Sequence, residues 1–175
     1  MTVPVALLLA AGCAPDNNEN SDVSREVTTM TDQSTDIWQL VNDIASQAPL
    51  STDKINSLFQ VQLSGTGRQS TGPATVDGVT VAEVGTVTRP DGEWVFSYFD
   101  IAPSPCIGLD ELKSHYSDVA LTDVPRGHSP EEQYVWTSQQ PWGALNFGFR
   151  ERDYCLVGVS LHTEGDWTNT PIPTN

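Results

Sequence analysis

Trp142-Gly143-Ala144-Leu145-Asn146-Phe147-Gly148-Phe149, followed after a short polar break by Cys155-Leu156-Val157-Gly158-Val159-Ser160-Leu161, is the stretch whose reading decides the fold. Leu145, Phe147 and Phe149 recur at every second position, and so do Cys155, Val157, Val159 and Leu161. Successive strand side chains point to opposite faces, so a period of two marks strands with one face buried. Glu151-Arg152-Asp153 is too short to carry a crossover and joins the two as a tight antiparallel hairpin. Gln133 to Ser138, where Tyr134 alternates with Trp136, adds a strand before them.

Working outward, Val79, Val81, Val84 and Val87 precede the turn Arg89-Pro90-Asp91-Gly92 and the apolar run Trp94 to Phe99, which predicts a second hairpin. Ile37, Trp38, Leu40, Val41, Ile44 and Ala45 instead follow helical spacing, with Ser34 or Asp36 as cap and Pro49 ending the path. A second short helix has Ser51 or Thr52 as cap and Ile55, Leu58 and Phe59 as its apolar face, and a third carries Leu109, Leu112 and Tyr116. Val61-Gln62-Leu63 reads as the start of a strand, Gly65 to Gly78 as a loop, and Asp123 to Glu132 as a polar connection. The predicted class is α+β, a mostly antiparallel sheet with two or three short helices packed on one face. It occupies residues 35–165 as a single domain, with a disordered tail over 166–175.

Leu7-Leu8-Leu9-Ala10-Ala11-Gly12-Cys13 reads as a bacterial lipoprotein signal over residues 1–12, with Cys13 as the lipidated residue. A plain secretory signal with an incidental cysteine, or a poorly ordered apolar N-terminus, is the other reading, since residues 1–5 lack Lys and Arg and Ala10 stands where Leu is preferred. Ala14 follows the cysteine rather than an inner-membrane retention aspartate, which favours the periplasmic face of an outer membrane. Residues 13–34, acidic and rich in Asn, Ser and Thr, form a flexible tether. With Cys13 assigned, Cys106 and Cys155 are expected to pair in an oxidising compartment, the alternative being two buried thiols.

Eight basic against 23 acidic residues give a net charge of −15. That balance argues against nucleic acid and against an electrostatic hold on anionic lipid, leaving a lipid anchor as the membrane contact. His115, His128 and His162 are scattered without ligand spacing, so all three are expected on the surface and neither metal nor cofactor is expected. Ser129 beside His128, Glu131 and Glu132 cannot converge as a triad from adjacent positions, Gly-x-Ser-x-Gly is absent, and no catalytic residue is assigned. Asp110 with Glu111 reads as a helix N-terminus, and Glu131 with Glu132 as a solvated pair.

Arg126, His128 and Trp142, each in a loop beside a backbone breaker, are the candidate partner-binding residues. Their plainer roles are an Arg pairing a local acid and a Trp folded over the end of the sheet. The order Cys106, Leu109, Leu112, Tyr116, Pro125-Arg126-Gly127, Pro141 to Phe149 and Cys155-Leu156-Val157 resembles small exported Gram-negative proteins of unassigned role, some thought to be toxin-immunity proteins. The likeness spans about residues 50 to 162 and carries no functional residue with it. It implies an inhibitor of one basic protein partner, against the alternative of a structural envelope lipoprotein.

Overall fold

Among the described residues, alternation along the chain yields eight strands, and three helices pack on one face of the sheet they form. The computed structural model describes residues 33–102 and 105–163, with side chains from Ile37 onward. In chain order these form α1 (Gln33–Ser46), α2 (Thr52–Phe59), β1 (Gly67–Thr71), β2 (Ala74–Val76), β3 (Val79–Thr88) and β4 (Trp94–Ile101). α3 (Leu109–His115), β5 (Ala120–Asp123), β6 (Gln133–Gln140), β7 (Gly143–Arg150) and β8 (Leu156–Thr163) complete them. The expected signal, Cys13, nearly all of the tether and the tail from residue 166 lie outside the described residues.

The strands form one sheet in the order β1-β3-β4-β8-β7-β6-β5, with β2 also on β3, and every pairing is antiparallel. Registers align Val84, Phe99, Val159 and Phe147 across four neighbouring strands, and all four are buried. The described helices cover this side alone. Phe59 of α2 packs on Phe99 at 5.5 Å, and Trp38 of α1 and Tyr116 beyond α3 pack on Phe147 at 6.1 and 5.0 Å between ring centres. The α+β class with helices on one face therefore holds.

Helix ends follow the sequence. Ser51 Oγ accepts the Lys54 N–H at 3.2 Å, identifying it as the α2 cap, and the helix stops where Gln60 turns left-handed at φ 52°. Asp110 and Glu111 lie in the first turn of α3, and Glu111 Oε1 accepts the Trp38 indole N–H at 2.8 Å. Cys106 and Cys155 are bonded, their Cα atoms 5.1 Å apart, and the neighbouring Leu156 N–H donates to Ile107 O at 2.9 Å. Together they fasten the chain entering α3 to the start of β8.

Four expectations are corrected. Gly65 to Gly78 is not a loop throughout but holds β1 and β2, short edge strands kept by main-chain pairing to the longer β3. Val61 to Leu63 does not enter a strand, because the Asn56 side chain clamps Leu63 through both backbone groups, at 2.7 and 2.8 Å. Val157 is not an inward residue of regular alternation: a bulge pairs Gly148 with Gly158 but Phe149 with Leu156, so Leu156 is buried and Val157 is the extra residue. His162 is half-buried rather than on the surface, and burial lowers its pKa.

Candidate functional site on the open sheet face

The sheet face opposite the helices carries the alternate residues of the same strands. Its rows, set by register, are Val87-Phe96-His162-Ala144, then Gly85-Tyr98-Ser160-Asn146-Thr137, then Asp100-Gly158-Gly148-Val135. Over β4, β8, β7 and β6 they line a groove of about 220 Å³, walled by Arg68, Phe96, Tyr98, Asp100, Gln133, Asn146 and Ser160. Sequence reasoning missed it, because polar positions opposite a buried row look like any solvated face.

Glycines shape this groove. A Cβ on Gly85 would stand 2.3 Å from the Tyr98 ring, so the glycine lets that ring lie flat across the neighbouring strand. Phe96 stacks on Tyr98 with centroids 5.4 Å apart and planes at 19°. The Tyr98 hydroxyl donates to Glu83 Oε1 at 2.5 Å, and the Arg68 guanidinium lies 5.8 Å from the Tyr98 ring centre. That hydrogen bond, with a second from Ser70 and the charge of Arg68, lowers the Glu83 pKa against desolvation. Tyr98 is raised, by desolvation first and then by its bond to Glu83.

Asp100 differs from Glu83. Desolvation, then the charge of Glu83, raises its pKa, and its carboxylate has no hydrogen-bond partner among the described residues. Chemically, the groove offers unpaired acceptors, one cation and two aromatic rings on a rigid scaffold, a set suited to holding a polar ligand or side chain.

The residues singled out from sequence lie elsewhere. Trp142 sits with Pro141 in the turn between β6 and β7, its ring 6.2 Å from that of Trp94, partly folded over the end of the sheet. With Asn42, Tyr116, Gln140 and Leu145 it lines a second groove of about 400 Å³. There the Tyr116 hydroxyl donates to Asn42 Oδ1 at 2.6 Å, and its pKa is pushed up to about 12 by burial and then by the charge of Asp118.

Arg126 and His128 lie in the loop leading into the opposite end of β6. The seven steps between the eight residues of β6, at about 3.3 Å each, put its two ends roughly 23 Å apart, so these two and Trp142 do not share one patch. The loop is organised by Glu132, whose carboxylate accepts the backbone N–H groups of Arg126, Gly127 and His128. Desolvation opposes ionisation of Glu132, but these donors prevail and its pKa is lowered. The plain expectation for Arg126, pairing of its guanidinium with a local acid, gives way to this backbone clasp. Glu131 instead pairs with Arg152 at 2.6 Å and Arg150 at 3.6 Å, so the two neighbouring acids are not simply a solvated pair: one joins two arginines and the other holds the loop backbone.

Among the described residues no three His, Cys, Asp or Glu side chains form a metal-binding group, and no helix is long and apolar enough to cross a membrane. Comparison with known protein families, curated proteins and solved structures gave no match.

Proposed function

We propose that the chain is a periplasm-facing outer-membrane lipoprotein, held through Cys13, whose domain binds one basic protein partner and inhibits or neutralises it. The observation that carries this reading is the sheet face left uncovered by the helices, with aromatic and charged side chains fixed by strand register. Such a face presents side chains at low ordering cost, the condition for tight recognition by a rigid partner. The net charge of −15 supports a basic partner by steering its approach.

Capture from an envelope extract on the immobilised full chain tests this, with Ser160→Arg, which fills the groove, as the comparison. One stoichiometric basic protein, held by the native chain, released as salt rises and lost with Ser160→Arg, is expected. Several envelope proteins held alike by both, or none, would leave a structural lipoprotein instead. Replacing Cys13 by Ser is expected to release the folded domain from washed membranes; persistent association would sink the lipid anchor.

A further inference from the structure

Gly148 of β7 and Gly158 of β8 are register partners on the open face, so one stretch of groove floor has no side chains. Acceptor oxygens lean over it from both sides. A Cβ on Gly158 would lie 3.2 Å from Asp100 Oδ1, and one on Gly148 would lie 1.9 Å from Gln133 Oε1. Neither side chain makes a hydrogen bond among the described residues. Ser160 borders the same floor, and the Phe96–Tyr98 stack forms the adjoining wall.

Charges in the groove are not balanced. Arg68 lies against the Tyr98 ring and hydroxyl and acts on Glu83 only through its charge, while the Asp100 carboxylate forms no ion pair among the described residues. A partly desolvated carboxylate beside a second acid is held in an unfavourable state that an incoming cation relieves.

We propose that Asp100 Oδ1 and Gln133 Oε1 receive the ammonium group of a lysine side chain on the protein partner, its stem running along Phe96 and Tyr98. The inference rests on the reading that the open face binds a protein. An ammonium is a compact head whose three donors diverge, suiting acceptors on two different side chains across a gap. A guanidinium fork is matched instead by the two coplanar oxygens of one carboxylate. The aromatic wall adds cation–π attraction and covers the aliphatic stem.

Titration of the isotope-labelled full chain with the blocked tripeptide acetyl-Gly-Lys-Gly-amide, followed by amide resonances, tests it. The peptide is expected to shift Asp100, Gln133, Gly148 and Gly158 with millimolar affinity, and its Nζ-acetylated form to leave them in place. Asp100→Asn is expected to weaken the peptide about tenfold, and Gln133→Ala to weaken it less, both with the rest of the spectrum unchanged. Equal shifts from the acetylated form, or shifts elsewhere, would overturn the site. If a partner is captured through the open face while Asp100→Asn leaves both capture and titration unchanged, the lysine inference fails and the protein-binding reading stands. If the peptide binds but no partner is captured, the partner reading fails and takes the lysine's source with it.

Discussion

Two carboxylates on adjacent strands of one face, Glu83 and Asp100, are shifted in opposite directions, and the difference separates a hydrogen-bonded acid from an unpaired one. Glu83 is held by the Tyr98 hydroxyl and Ser70, so it favours folding above its ordinary 4.5 and loses that contribution as pH falls through its lowered value. Asp100 is raised above its ordinary 3.8 by desolvation and by Glu83, so the native state binds its proton more tightly than the unfolded chain does. Its contribution is present below 3.8 and lost as pH rises through the raised value, and at neutral pH the ionised group, exposed to solvent and screened by it, opposes folding only weakly. Asp100→Asn is therefore expected to raise the thermal midpoint slightly near pH 7, with the gain shrinking to nothing near pH 3. A variant no more stable than the native chain near neutrality would show that Asp100 is not held at a cost. None of this was legible in the sequence, because Asp100, Gln133, Gly148 and Gly158 are distant in the chain and meet only through register.

Elements with a strong apolar period were read from sequence with little error, and those held by other forces were not. The β3–β4 and β7–β8 hairpins announce themselves because each buries one row, and α1 and α2 because Ile37, Trp38, Val41, Ile55 and Phe59 repeat at helical spacing. β1 and β2 carry Gly, Ser and Thr and depend on main-chain pairing to β3, which leaves no apolar signature. The available signal was Asp77-Gly78, whose positive φ values of 47° and 88° make the two-residue hairpin turn between β2 and β3. Val61 to Leu63 misled in the other direction, since alternation there reflects Leu63 packing under the clamp from Asn56 rather than a ladder. Asn56→Ala removes both bonds and leaves the Leu63 N–H and C=O unpaired in a part-buried site, so a loss of about 2 kcal/mol is expected in urea unfolding. A loss below about 0.5 kcal/mol would mean that water replaces the clamp.

For the whole molecule, the helix-packed core and the open groove occupy opposite faces of one sheet. The helices, the buried row and the Cys106–Cys155 bond belong to the covered side or its margin, while the groove is built from residues whose backbones are fixed by ladders β4–β8, β8–β7 and β7–β6. Cysteine pairing was legible because two cysteines remain once Cys13 is assigned, and net charge because it needs only counting; which face was left open depended on packing. The disulfide closes a sequence separation of 49 residues that contains α3, β5, β6 and β7, and in the chain-entropy account it stabilises the domain by about 2 to 4 kcal/mol. The double variant Cys106→Ala, Cys155→Ala is thus expected to melt about 10 °C lower, since it enlarges the unfolded ensemble without removing a strand pairing. Well below its midpoint, however, the backbone bond from Leu156 to Ile107 and the three ladders still set the groove, so the lysine tripeptide should bind the double variant as it binds the native chain. Unchanged melting would deny the bond its stabilising role, and lost peptide binding in a still-folded variant would show that the open face depends on the covered one.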